Sequence, residues 1–287
     1  MNTCNKTMDS NDLTTPEAQK IIKDLNELIT NLKSENLKIS SWVGVFSLNN
    51  DFEEKINRGY NYKSLNNVPD DENFPWFLYW EIVWLVLNND FKQGQRVLDL
   101  GGSSSLFSYY LASRGLKVVT IDKNKELVNN ANFVAKEKNW DLKNYNTDIN
   151  DFQFSNKFDH IVSVCVYEHI LLKERIEINK KIKNHLTNNG KFSITFDYRN
   201  PSKFVQINNQ EDINNQFIKP SNLSIRGNKQ FFDNKQNYLL HPFYYKNIFW
   251  KAKITHLLNK DFGVHEIFKT KNENDYTFGS LFLENNL

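Results

Sequence analysis

The stretch that most constrains the fold is Arg96–Asp122, RVLDLGGSSSLFSYYLASRGLKVVTID. Val97-Leu98-Asp99-Leu100 is a short apolar run rich in branched residues, the pattern of a buried parallel strand. Gly101 and Gly102 follow, then three serines whose side-chain oxygens can accept bonds from the orphan N–H groups of a helix. Ser103 is the expected cap. Leu106, Phe107, Tyr110 and Leu111 recur at helical spacing and present one face to a sheet. Gly115 suits the helix stop, and Leu116–Ile121 reads as a second strand with Asp122 at its carboxyl end. The unit is strand, glycine turn, helix, strand, acid. Open α/β sheets bind ligands at the carboxyl ends of such strands.

Two nucleotide readings compete for this unit. A dinucleotide site wants G-x-G-x-x-G, so that backbone amides approach a pyrophosphate. Here the glycines are adjacent, and Asp99 would repel a pyrophosphate while suiting a cationic ligand. The pattern D-x-G-G-x-x-S, from Asp99 to Ser105, resembles motif I of class I S-adenosylmethionine-dependent methyltransferases. Serines stand at Ser103 and Ser105 where that family usually has its later glycines. The resemblance implies that Asp99, Gly101, Gly102 and Ser103 hold the methionine moiety. It also implies that Asp122, with Lys123 beside it, binds the ribose hydroxyls.

The alternation continues after Asp122. Leu127, Val128, Ala131, Phe133, Val134 and Ala135 mark a helix ending near Asn139. A weak third strand at Leu142–Tyr145 leads to Asp148 and Ile149. In the family this place binds adenine, so Asp148 is expected to accept from the exocyclic amine and Ile149 to flank the ring. Phe158–Val166 is a strong fourth strand that runs into Tyr167-Glu168-His169. The string FDHIVSVCVYEHI resembles the family's motif IV in its small-molecule branch, and Cys165 is expected to line the cofactor site there. A basic helix at 171–186, a turn at Asn188–Lys191 and a fifth strand at Phe192–Asp197 follow. The exit, Asp197 to Pro201, lies on the ligand side if the order holds.

Residues 201–240 are long and polar, and a connector of this length is usually functional or mobile. It ends in an aromatic cluster of Phe231, Phe232, Tyr238, His241, Phe243, Tyr244 and Tyr245. Either the segment 201–245 is a lid that walls the acceptor pocket, or these aromatics close the core. Residues 264–268 and 276–283 read as a terminal hairpin, which resembles the family's ending with its last strand antiparallel. The resemblance runs from about Phe74 to Leu287. The expected fold is α/β and doubly wound, a Rossmann-like sheet of seven mostly parallel strands. Residues 74–287 form the methyltransferase domain behind an N-terminal extension of residues 1–73.

In that extension, residues 1 to about 13 read as disordered. Thr14-Thr15-Pro16-Glu17 starts a helix, with a Thr cap and an acid where the dipole favours one. Ile21, Ile22, Leu25, Leu28, Ile29 and Leu32 make its apolar stripe. Pro75–Leu87 is the most apolar run, too short for a bilayer and interrupted by Glu81, hence a buried helix. Trp76, Trp80 and Trp84 share one face of it and read as core. Glu81 reads as a buried or rim carboxylate within reach of the ligand.

Composition narrows the function. A formal charge of +2 with interspersed signs argues against a dedicated nucleic-acid footprint. Cys4 and Cys165 offer neither a disulfide framework nor metal-ligand spacing, and the polar N-terminus lacks a signal-peptide pattern, which suits a cytoplasmic enzyme with no membrane partner. No metal is expected, since Asp197 and Asn200 are not adjacent, unlike the Asp-Asn pair of metal-dependent catechol-type enzymes. The expected reaction is methyl transfer from S-adenosylmethionine to a small molecule, at a hydroxyl or amine of a sugar or secondary metabolite. The candidate bases are His169, His241, Tyr198 and Asp197, in that order. Two alternatives stay open: methylation of RNA or protein through the Lys-rich helix, and a non-catalytic protein that binds the same cofactor.

Overall fold

A computed structural model of the chain describes residues 3–41, 74–200, 203, 205–239 and 275–286. The chain enters through a short strand, β1 (Lys6–Thr7), and a 3-10 turn at Ser10–Thr14. Helix α1 (Pro16–Ser34) starts where Thr15 accepts a bond from Ala18 N–H, with Pro16 at its first position. Helix α2 (Trp76–Asn89) leads into β2 (Arg96–Leu100). Then α3 (Leu106–Ser113), β3 (Lys117–Asp122), α4 (Lys125–Glu137) and β4 (Leu142–Asn146) alternate. Strand β5 (Phe158–Val164), helix α5 (Leu172–His185) and strand β6 (Leu186–Tyr198) follow.

Beyond β6, a helical stretch α6 combines Gln210–Ile213, a π-turn at Asn214–Ile218 and Lys219–Ser221. Two short strands, β7 (Ser224–Ile225) and β8 (Tyr238–Leu239), precede the last strand, β9 (Asp275–Glu284).

The sheet order is β1-β9-β6-β5-β2-β3-β4. Strands β2 to β6 are mutually parallel, and β9 lies antiparallel against β6. This is the expected doubly wound sheet with an antiparallel last strand. Among the described residues it counts nine strands: six of the expected seven, with 264–268 outside those residues, and β1, β7 and β8, which all pair with the free edge of β9. The turn expected at Asn188–Lys191 survives inside β6. Pairing with β5 jumps from Leu186 to Lys191, and Asn189 takes a positive φ of 62°.

Both faces are covered, as a parallel sheet requires. Val97, Val118 and Val162 face a core shared with α1, α2, α3 and α4. Leu98, Ile121, Ile161 and Ile194 face the other core, against α5 and α6. The chain leaves β2 towards β3 and β4 on one side, and returns through β5 and β6 on the other. The carboxyl end of β2 is therefore the switch point, where open α/β sheets hold ligands.

The disordered start expected for residues 1–13 is corrected from Thr3 onward. Trp80 Nε1 donates to Asp12 Oδ2 (2.8 Å) and Trp84 Nε1 to the Cys4 carbonyl (2.9 Å). Lys6 sits over the Trp84 ring and pairs with Asp12. The N-terminal segment thus supplies a polar cover for the indole N–H groups of Trp80 and Trp84.

The described residues of the 201–245 segment divide, with Phe232 53% exposed and others packed on the core. Ile207, Ile213, Phe217 and Leu223 are buried, and Phe231 packs on Phe196 and Tyr198. His241, Phe243, Tyr244 and Tyr245 lie outside the described residues, as does the predicted strand 264–268. Among the described residues no helix is long and apolar enough to cross a membrane.

Candidate active site

The glycine turn after β2 is shaped by a buried carboxyl. Asp99 is 1% exposed, and its Oδ2 accepts from Ser108 Oγ (2.6 Å). A Cβ on Gly102 would fall 1.9 Å from that oxygen, so no side chain fits there. Gly101 has φ of +79°, where L-residues are strained, and a Cβ on it would meet Val166 at 2.8 Å. Asp99 Oδ1 has no partner. Burial pushes the Asp99 pKa up to about 7, with Ser108 opposing and the charge of Asp122 adding. An orphaned, buried carboxylate oxygen beneath a side-chain-free cradle fits a ligand that brings an amino group.

The serines do three different things. Ser105, not Ser103, caps α3, accepting from Ser108 N–H at 3.0 Å. Ser103 is buried, its Oγ 2.7 Å from Thr120 Oγ1. Thr120 spends its one hydrogen on Asn144 Oδ1 (2.6 Å), so Ser103 is the donor to Thr120. Ser104 takes φ of 63° and donates to the Leu127 carbonyl, while its own carbonyl accepts from Ser40 N–H. The helix begins at Leu106, where its apolar pattern starts, so the residue directly before it, Ser105, takes the cap. Ser103 is left to satisfy the polar interior of the sheet.

Asp122 and Asp148 stand at the exits of β3 and β4, as expected. Each makes an Asx turn: Asp122 Oδ1 accepts from Asn124 N–H (2.8 Å) and Asp148 Oδ1 from Asn150 N–H (2.8 Å). Partial burial raises the Asp122 pKa, against the Asn124 bond and Lys123. Lys123 is exposed at the same exit, and Ile149 packs against the core below.

The exits of β5 and β6 hold a second group. Cys165 takes a positive φ of 50° just past β5. Its thiol lies 2.8 Å from Glu81 Oε1, on α2. Ligand atoms of Cys165, Glu168 and Asp197 all lie within 4.8 Å of one another. Asn200 Nδ2 donates to Asp197 Oδ2 (2.7 Å), and Lys203 Nζ lies 3.4 Å from the same oxygen. Glu168 is 6% exposed and its Oε2 has no partner. Burial pushes Glu81 and Glu168 each up to about 8, helped at Glu81 by the charges of Glu168 and Asp197 and at Glu168 by that of Asp197, while Lys203 opposes at Glu168. Burial among these acids also drives the Cys165 thiol upward. Such a group can hold protons or a cation.

The candidate bases divide. Asp197 is in the buried group. His169 sits beside it, Nε2 3.9 Å from Glu168 Oε1, with its ring 63% exposed. Local burial and the cations Lys203, Lys123 and Arg175 hold its pKa below the ordinary imidazole value, although water at the ring offsets much of the burial effect. It is therefore neutral at pH 7. Tyr198 is not brought to the group. Successive strand residues point to opposite faces, so Tyr198 is buried against Phe231, its hydroxyl 3.5 Å from Asp233 Oδ2. Burial, with Asp233, raises its pKa and leaves it a poor base. His241 lies outside the described residues.

Sequence spacing concealed the cluster, because Glu81, Cys165 and Asp197 come from three separate elements. Their one shared signal was placement: Cys165 and Asp197 each end a strand, and Glu81 is the one acid in an apolar helix. The role of Val166, which covers Gly101 and so joins the two halves of the site, carried no signal at all.

A family model described as "Methyltransferase domain" matches residues 91–261, more than half of the chain. No curated protein matches the chain. Among solved structures it is similar to TehB from Haemophilus influenzae, at 17% identity and a TM-score of 0.48, over 70% of this chain and 60% of that one. It is also similar to phosphoethanolamine N-methyltransferase 2 from Haemonchus contortus in complex with S-adenosyl-L-methionine, at 16% identity and a TM-score of 0.48, over 72% and 52%. Magnesium protoporphyrin IX methyltransferase (ChlM) from Synechocystis PCC 6803 with bound SAM gives 16% and 0.44, over 71% and 75%. The chain thus spans about half to three quarters of the length of these proteins. The matched model covers the glycine turn, Asp122, Asp148, and Cys165, Glu168 and Asp197 of the cluster: the chain belongs to the methyltransferase-domain family.

Proposed function

We propose that the chain methylates a small molecule at a hydroxyl or amine, of the sugar or secondary-metabolite kind. One observation carries this reading. The donor half of the site, around Gly101, touches the acidic half through Val166, the neighbour of Cys165. In this reading a compact polar acceptor binds beside Glu168, Asp197, His169 and Lys203.

When bound, S-adenosylmethionine supplies an already activated methyl group, so this chain has chiefly to align and to move one proton. In this reading Asp122 accepts from the ribose hydroxyls and Asp148 from the adenine amine, with Ile149 against the ring. Asp99 faces the amino group of the methionine end. His169, neutral at pH 7, takes the acceptor's proton, and Asp197 orients the acceptor. Residues 1–73 act as an accessory whose Ser40 buttresses the donor loop, and 74–287 form the transferase. From the 201–245 segment, Lys203 reaches the acceptor side.

The basic helix α5 offers less to RNA than its composition suggests, because three of its four lysines are engaged. Lys180 pairs with Glu177, and Lys181 and Lys183 donate to the carbonyls of Asn150 and Asn222. The two cysteines are unpaired, which suits a reducing cytoplasm.

Calorimetry with S-adenosylmethionine tests the donor half. Asp122→Ala is expected to weaken binding by about 2–4 kcal/mol, the range for a lost pair of charge-assisted bonds. Unchanged affinity in a folded variant overturns the role of Asp122. Mass spectrometry of products, after incubation with labelled donor and a metabolite extract, tests the acceptor. Label in RNA or protein and none in small molecules overturns the acceptor class.

A further inference from the structure

The cluster past β5 and β6 has more ligating capacity than methyl transfer requires. Base chemistry needs one acceptor of a proton, yet here a thiol and three carboxyls converge in a buried place. A Cys165 thiolate, Glu168 and Asp197 together would carry three negative charges, which a dication beside Lys203 and Arg175 offsets.

We propose that Cys165, Glu168 and Asp197 bind one divalent transition-metal ion of the zinc class, with Glu81 beside the thiolate. Zinc–sulfur and zinc–oxygen bonds of about 2.3 and 2.0–2.2 Å place tetrahedral ligands roughly 3.5 Å apart. The three ligand atoms already lie within 4.8 Å of one another, so small side-chain adjustments close the site. Glu168 supplies the second, independent observation. Its side chain is only 3% exposed, and Oε2 makes no hydrogen bond. An unpartnered carboxylate oxygen there costs free energy that a bound cation recovers.

The thiol decides the class of cation. An ammonium group gains little from sulfur, and magnesium or calcium prefers all-oxygen sites. Zinc, cobalt or ferrous iron accepts a mixed sulfur and carboxylate set, and binding would release the thiol proton. Three protein ligands also leave a fourth position open, as in catalytic zinc sites. Outside the ligands, the Asn200 amide fixes Asp197 through Oδ2, a supporting contact of the kind metal sites depend on. Lys203 lies on that same oxygen, while Asp197 Oδ1 faces the Cys165 thiol at 3.9 Å. Binding of the ion stands apart from the acceptor reading above. Only its place beside the acceptor rests on that reading.

The experiment uses the full chain, stripped with a chelator and titrated with cobalt(II), then zinc. The expected result is one cobalt per chain, a near-ultraviolet thiolate-to-cobalt band, and displacement by zinc. Cys165→Ser should abolish the band and weaken binding at least tenfold. Glu168→Gln should weaken binding at least tenfold while keeping the band, and Asn200→Ala by about 10–100-fold. Cys4→Ser should change nothing. Circular dichroism checks that each variant is folded. No saturable binding, or a band that survives in Cys165→Ser or vanishes in Cys4→Ser, overturns the site. Calorimetry of the metal-free protein with S-adenosylmethionine keeps the two readings apart. Donor binding without cobalt binding rejects the metal alone; absent donor binding rejects the methyl-transfer site instead.

Discussion

Asp99 shows how one residue sets both the stability and the shape of the donor loop. Its ordinary pKa is 3.8, and burial raises it to about 7 in the fold. Between these values the folded state holds a proton that the unfolded state releases, so stability falls as pH rises from about 4 to about 7. Asp99→Asn removes that dependence. Urea unfolding at pH 4.5, 6.0 and 7.5 should show the variant gaining on the parent protein as pH rises. The gain should reach a few kcal/mol, because each tenfold change in proton affinity is worth about 1.4 kcal/mol. His160 works in the opposite sense, its pKa lowered to about 3 by burial and then by Lys191 and Arg226, and destabilises below pH 6.5. It is present in both proteins and cancels in the difference. A constant difference across the three pH values would show that Asp99 is not perturbed. Asp99 and the glycines were legible in the sequence because residue type and adjacency alone carry them. The cap was not: three serines in a row are equivalent until the start of the helix is known, and Ser103 was drawn inward by Thr120.

At the scale of elements, the periodic helices and apolar strands were legible to within a few residues, because their patterns are local. The N-terminal cover was not. Asn5-Lys6-Thr7 has no apolar period, and its strand exists through pairing with β9 and a bridge to Phe232, both distant in the chain. Asp12 is the hinge of that cover, accepting from Trp80 and pairing with Lys6 at 2.6 Å. Asp12→Ala leaves a largely buried indole N–H and a lysine of 12% side-chain exposure without their acceptor. The expected cost is about 1–3 kcal/mol in urea unfolding, the range for an orphaned buried donor. A change below about 0.5 kcal/mol would mean that water replaces the carboxylate and that the segment is only loosely applied.

For the whole molecule, the sheet order follows from the alternation of strands and helices, whereas the site depends on residues that only the closed sheet brings together. One core runs from Cys4 and Leu32 through Trp80 and Val97 to Phe282, so the N-terminal extension and the transferase share buried surface. Segments that share a core unfold together, and a single cooperative transition is expected. Tryptophan fluorescence reads the cover, since Trp80 and Trp84 stack at 5.9 Å beneath it. Far-ultraviolet circular dichroism reads the sheet and helices. The two urea transitions should coincide. S-adenosylhomocysteine at a hundred times its dissociation constant should move both together by about 2.7 kcal/mol, because ligand bound at β2 stabilises everything cooperatively joined to it. A fluorescence transition that comes first and ignores the ligand would make the extension a separate unit, and its Ser40 contact could not then support the donor loop.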